Sequence, residues 1–233
     1  MAENEVLQIG IDLGSLSREA FEIIFSEQTT APGFYREVFE ACRTRRDVLL
    51  LMLHHFNTPD DVRRDVSAFL GMPPPNPDVL NREREAETAR PAEERSLTLY
   101  QTLQRMKVGD RIQLAMRGGR DVRNLLIKDS NREVVKTVMA NPKLTESEVE
   151  LIAKNRNISE DVLRIIAKNR EWVKNYAIIL ALVTNPKTPP GVSMNFISRI
   201  NKGDLLRIEK NKNVPELVRA AAKRLLAGRQ QTR

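Results

Sequence analysis

The chain has a single cysteine, Cys42, so no internal disulfide can staple it and its stability has to come from packing. Cys42 falls on the apolar side of a predicted helix, where it reads as a small buried hydrophobe, and no neighbouring base would activate its thiol. Histidine occurs only as the adjacent pair His54 and His55. Neighbours on a helix point about 100° apart, so the two cannot share one metal, and no other histidine or second cysteine completes a ligand set. No metal and no cofactor are expected. Aromatic residues make up 5% of the chain, with Trp172 the only tryptophan, which disfavours a β-sandwich and a base-stacking platform for single strands. The longest apolar run, Val48 to Leu53, is far too short to span a bilayer. Met1 to Glu5 are acidic, without the positive start of a secretory signal, and a cytoplasmic protein is expected.

Lysine is missing from the first 95 residues, which hold 11 arginines and 18 acids for a net charge of −7. Residues 96–233 hold 27 cations and 13 acids, a net of +14. An acidic front and a basic back suggest two units.

What the chain does contain is a block that recurs four times. It reads Asn141-Pro142-Lys143-Leu144-Thr145, Asn155-Arg156-Asn157-Ile158-Ser159, Asn185-Pro186-Lys187-Thr188-Pro189 and Asn211-Lys212-Asn213-Val214-Pro215. An apolar helical stretch follows each copy, and self-similarity of this kind marks a helical repeat array. Asn131-Arg132-Glu133-Val134-Val135 also returns as Asn169-Arg170-Glu171-Trp172-Val173. In both, Asn serves as the helix cap with Glu near the third helical position.

The front half also reads as helices. Ser17 caps a helix with Phe21, Ile24 and Phe25 on its apolar side, and Pro32 opens a second through Phe34, Val38 and Cys42. Asp47 to Leu53 form a third, apolar on nearly every side. Thr58-Pro59-Asp60-Asp61 start a fourth, with Thr58 as its capping side chain, closing near Gly71. The Thr58 to Val62 stretch echoes the later repeats. Residues 72–94 carry a proline cluster and then mixed charge without an apolar face, the signature of a linker, although its Arg and Glu spacing would also suit a solvated helix. The expected organisation is an acidic helical domain over 1–71, a linker over 72–94 and a basic helical-repeat domain over 95–229. Val6 to Leu13 is the one segment with the look of a short strand.

Residues 96–228 resemble an armadillo- or HEAT-type α-solenoid, and the Asn-Pro-Lys and Asn-Arg punctuation is similar to the leucine-rich-repeat-variant group of short helical repeats. The resemblance implies an all-α protein, a right-handed α-solenoid of short repeats preceded by a small helical domain. It also implies a binding scaffold: family members recognise proteins, and some related stacks grip DNA by its backbone.

The recurrent Asn is a helix terminator and turn former first. The functional candidates are the cations beside it: Lys143, Arg156, Arg170, Lys187 and Lys212. Dipole chemistry places cations before a helix end; these lie past it, or at the next helix start, where acids would be preferred. Stacked turns would line them up on one edge. Arg117-Gly118-Gly119-Arg120 is the other candidate, with two arginines beside backbone amides free to meet a phosphate, set against a plain helix C-cap and hinge. Asp60-Asp61 and Glu146, Glu148 and Glu150 are accounted for by helix starts, and no catalytic constellation is present. The expected function is therefore non-enzymatic: an interaction adaptor for an acidic protein partner, or alternatively a protein that binds the backbone of duplex nucleic acid.

Overall fold

The computed structural model describes residues 13–27 and 30–231. The candidate strand lies outside these residues except for Leu13, which opens a 3₁₀ turn. Among the described residues all regular structure is helical. The chain divides into two compact units between Leu126 and Ile127.

The first unit contains α1 (Arg18–Ser26), α2 (Pro32–Ala41), α3 (Arg46–His54), α4 (Asp60–Leu70), α5 (Pro77–Ala89), α6 (Ala92–Arg105), α7 (Val108–Arg117) and α8 (Arg120–Leu126). Local chemistry sets several boundaries. The Ser17 hydroxyl accepts the N–H of Ala20 at 3.2 Å, and Pro32 stands at the first position of α2, where no intrahelical donor is lost. Gly71 ends α4 in the left-handed conformation at φ 65°, a region that favours glycine. Phe21, Phe25, Val38, Cys42, Val48 and Met52 fill the core between α1, α2 and α3.

The second half of the expected linker is helical. Asn76 caps α5 through the N–H of Asp78, and Pro77 occupies its first position. Leu80 is the only buried residue of α5 and Leu103 the only one of α6, so both helices are largely solvated. Composition changes near residue 95, but packing keeps α7 and α8 with the first unit. Asp110 of α7 accepts the N–H of Ser17 at 3.1 Å, and α7 packs on α1. Divided at the structural boundary, residues 127–233 hold 21 cations and 11 acids.

The second unit contains α9 (Arg132–Ala140), α10 (Glu146–Lys154), α11 (Glu160–Lys168), a 3₁₀ turn (Trp172–Lys174), α12 (Tyr176–Thr184), α13 (Pro190–Phe196), a further 3₁₀ turn (Ile197–Arg199), α14 (Lys202–Lys210) and α15 (Glu216–Gln231). Helices pack on their sequence neighbours and on the second helix along: α10 on α12, α9 on α11, α13 on α15. The same relation holds in the first unit, with α1 on α3 and α2 on α4. This arrangement is compatible with a helical-repeat protein. Asn131 and Asn169 cap alike, each accepting two backbone N–H groups, those of Glu133 and Val134 and those of Glu171 and Trp172. Their continuations differ, because Asn175 caps again six residues later and leaves room only for a 3₁₀ turn.

One turn geometry joins helices in both units. Its first residue closes the preceding helix, and its side-chain oxygen accepts the N–H of the third. Asn141 bonds Lys143 at 2.8 Å, Asn155 bonds Asn157 at 2.9 Å, Asn185 bonds Lys187 at 2.9 Å and Asn211 bonds Asn213 at 3.0 Å. The same residue's carbonyl accepts the N–H of the fourth, which turns inward: Ile158, Thr188 and Val214 are buried. Between α3 and α4 His55 takes the first place. Its Nδ1 accepts the Asn57 N–H at 3.2 Å and its carbonyl accepts the N–H of Thr58.

Thr58 is therefore not the cap of α4, as its position before Pro59 suggested. Pro59 stands at the cap position without a side-chain bond, and Thr58 fills the buried fourth place of the turn. The hydroxyls of Thr58 and Thr188 are both buried and have no hydrogen-bond partner among the described residues. Ile158 and Val214 fill the same slot with carbon alone. Thr188→Val removes an unsatisfied polar atom at nearly constant volume and should stabilise the second unit by about 1 kcal/mol. Trp172 fluorescence in a urea titration should show a raised midpoint at unchanged slope. A lowered midpoint would mean that the hydroxyl has a partner.

Candidate functional site

The turn assigns the recurrent Asn to structure. Its oxygen holds the turn closed and its backbone ends the helix. At Asn185 the amide nitrogen goes further, donating to the carbonyls of Ala153 at 2.7 Å and Asn155 at 3.1 Å, at the end of the neighbouring α10. Asn57 makes the matching tie in the first unit, donating to the carbonyl of Phe25 at 2.9 Å at the end of α1. The bonds to Ala153 and Phe25 reach carbonyls that a helix C-terminus leaves without an intrahelical partner.

The cations are held differently. Lys143, Arg156, Arg170, Lys187 and Lys212 are all exposed, and none forms an ion pair with a described residue. The turn fixes their backbone and leaves their side chains in solvent. The acids of the same unit are largely engaged: Glu150 with Lys154, Glu160 with Arg164, Glu171 with Lys174, Asp161 with Arg132. Each such exposed pair contributes little to stability, but it cancels charge locally and leaves the turn cations uncompensated.

These five cations do not share one edge. Helices α10 and α12 run parallel, α14 starts beside the start of α12, and each is nine residues long. Their N-terminal ends lie side by side: Asn175 donates to the carboxylate of Glu146 at 2.8 Å, and Tyr176 donates to Asp204 at 2.7 Å. The Asn185 bonds join the C-terminal ends of α10 and α12. Arg156, Lys187 and Lys212 follow the C-terminal ends of the three helices, whereas Lys143 and Arg170 precede the N-terminal ends of α10 and α12. A helix of nine residues is about 13 Å long, so the two groups flank the helices from opposite ends.

The segment from Arg117 to Gly119 is engaged within its own unit. The Arg117 guanidinium lies 4.9 Å from the centre of the Phe34 ring and 3.9 Å from the carboxylate of Glu37. Gly118 caps α7, its N–H bonding the Leu114 carbonyl at 2.7 Å, and the N–H of Gly119 is taken by the Glu27 carboxylate. A resident carboxylate thus takes the Gly119 N–H that a phosphate would use, and Arg120 alone of this group is exposed. The glycines answer to close packing: a Cβ on Gly118 would stand 2.6 Å from the Leu114 oxygen and 2.7 Å from the Val122 side chain.

A second set of cations was not singled out from the sequence. Arg63, Arg111, Arg123 and Arg219 each donate to the carbonyl five residues earlier, at 2.9, 3.0, 3.0 and 3.2 Å, clamping the turn that leads into their own helix. The signal was available as an Arg five places after a turn's inward residue, in Thr58…Arg63 and Val214…Arg219. These arginines are structural, and part of the basic excess is spent on the fold. His55 is also internal. It is buried against Phe25 and stacked on Phe56, and burial, with the nearby Arg63 charge, lowers its pKa from 6.5 to about 4.

Among the described residues no group of three or more His, Cys, Asp or Glu could hold a metal ion. A broad open cleft in the first unit is lined by α1, α3, α5, α6 and α8, with acids and arginines interspersed. No helix among the described residues is long and apolar enough to cross a membrane. No protein-family model, curated protein or solved structure matches the chain.

Proposed function

We propose that the chain is a non-enzymatic interaction scaffold whose second unit binds an acidic surface on a partner protein. In this reading the helices of the second unit stack as a right-handed α-solenoid of the HEAT or armadillo type, and the first unit is built from a diverged copy of the same repeat. Two features support the stacking: the turn repeated in both units and the packing of several helices on the second one along, as α9 on α11, α10 on α12 and α13 on α15. The observation that carries the function is the set of exposed turn cations, Lys143, Arg156, Arg170, Lys187 and Lys212, left without ion pairs while neighbouring acids are paired. Unpaired cations held on a rigid frame raise the local concentration of anionic ligands and fix their register.

The test is the triple variant Arg156→Glu, Lys187→Glu and Lys212→Glu, which reverses the three cations at the C-terminal ends of α10, α12 and α14. None caps a helix with its side chain, so stability should change by less than about 0.5 kcal/mol per site. Binding of polyglutamate, measured by fluorescence anisotropy, should be lost. A folded variant that still binds would place the site elsewhere. A variant that unfolds would make these cations structural. Duplex DNA that outcompetes polyglutamate, with a salt slope near 0.9 per phosphate contact, would make the chain a nucleic-acid binder instead.

A further inference from the structure

We propose that the outward side of α10, α12 and α14 docks an acidic amphipathic helix from a partner protein. The inference rests on the acidic-partner reading above and names the form that partner takes.

Each of the three helices buries one side and leaves a large, largely apolar residue exposed. Helix α10 buries Val149, Ile152 and Ala153 but exposes Leu151 to 52%; α12 buries Ile178, Ile179 and Leu182 but exposes Tyr176 to 37%. Helix α14 buries Leu205 and Ile208 but exposes Leu206 to 41%. A lone exposed leucine is ordinary on any protein surface. Leu151, Tyr176 and Leu206 come from three helices joined at their N-terminal ends, with unpaired cations at both ends of these helices, and together make a patterned surface. An apolar centre within a polar rim is the organisation of a protein-binding site.

The dimensions and charges select the occupant. The helices are about 13 Å long, close to the 10–12 Å diameter of one α-helix with its side chains. A ligand helix laid across them would place its apolar stripe on Leu151, Tyr176 and Leu206. Acids on its two flanks would then meet Arg156, Lys187 and Lys212 at one end and Lys143 and Arg170 at the other. Crossing three helices spaced about 8–10 Å apart calls for roughly 14–18 residues of ligand. The acids on the host surface do not compete, because Glu150 is paired with Lys154, and Asp204 is held by Tyr176, Asn201 and Arg207. A second copy of this face would set cation against cation, and a nucleic-acid duplex would leave the leucines without partners.

The experiment uses the full chain and three labelled probes. The first is a synthetic helix of about 18 residues with Leu at i, i+3/i+4 spacing and Glu on both flanks. The second has the same composition scrambled so that Leu and Glu no longer segregate, and the third is polyglutamate. The ordered peptide should bind at least about tenfold more tightly than either control, and Leu151→Ser with Leu206→Ser should remove most of that advantage. Trp172 fluorescence and circular dichroism of the double variant should match the parent. Equal binding of ordered and scrambled peptides on the unaltered chain would overturn the proposal whether or not the variant folds, as would an unchanged preference in a folded double variant. If the peptides bind equally but the triple charge reversal abolishes both, the cationic site stands and the amphipathic ligand falls. If no probe binds, both fall.

Discussion

Asn185→Ala should lower the stability of the second unit by about 3 kcal/mol, two to three times the loss expected from Asn155→Ala or Asn211→Ala. All three side chains close the same turn by accepting the N–H two residues on. Losing that bond alone costs about 1 kcal/mol, because the turn is near enough to the surface for water to replace it. Asn185 is 3% exposed and also donates to the carbonyls of Ala153 and Asn155. Those acceptors close the C-terminus of α10, and alanine would leave the buried Ala153 carbonyl without that donor at a cost of about 1–3 kcal/mol. Urea unfolding followed through Trp172 tests the ranking, because the only tryptophan lies in the second unit. Equal losses at the three positions would mean that the tie between α12 and α10 contributes nothing beyond the turn.

Features that depend on residues close in sequence were legible before the fold was seen. Ser17, Pro32 and Gly71 mark helix ends because caps are made by neighbouring backbone groups. The recurrent Asn likewise announced its turn, since its oxygen reaches only two residues ahead. Features that depend on distant residues were not legible. Nothing local says that α7 belongs with the first unit; that follows from Asp110 meeting Ser17 and Glu27 meeting Gly119. Thr58 looks like a cap because Thr before Pro and Asp fits the pattern, but it holds the fourth place of the turn, which points inward, and burial took precedence.

The candidate site was legible residue by residue but not in its arrangement. The turn cations are exposed, as expected of charges past a helix end. Their division into two groups follows from direction reversal: one helix separates the turn at Asn141 from the turn at Asn155, so the two must lie at opposite ends of α10. Arg117 failed as a candidate for another reason. Its guanidinium meets Phe34, 83 positions earlier in the chain, which the Gly pair beside it does not reveal.

His55 should make the first unit acid-sensitive, and replacing it with asparagine should abolish that sensitivity. The imidazole is buried, its Nδ1 accepts the Asn57 N–H, and Nε2 lies 3.4 Å from the Ser26 hydroxyl. Protonation would remove the acceptor and place a charge beside Arg63, which donates to the His55 carbonyl at 3.0 Å. Burial, reinforced by that cation, lowers the folded pKa from 6.5 to about 4. Between these values the unfolded chain binds the proton and the folded chain does not, so stability rises with pH through the window. The contribution is complete above about pH 6.5 and is lost as pH falls toward about 4, with a maximum of about 3 kcal/mol. Asparagine occupies the same place in the other copies of the turn and its oxygen takes no proton in this range. His55→Asn gives up stacking on Phe56 and the edge contact with Phe25, about 1 kcal/mol at neutral pH. The variant should therefore be the less stable protein at pH 7.5 and the more stable one at pH 4.5. Carboxylates titrate in both proteins and cancel in the difference. Urea midpoints by circular dichroism at several pH values give the two curves, and curves that stay parallel from pH 7.5 to 4.5 would mean that His55 is already charged in the folded turn.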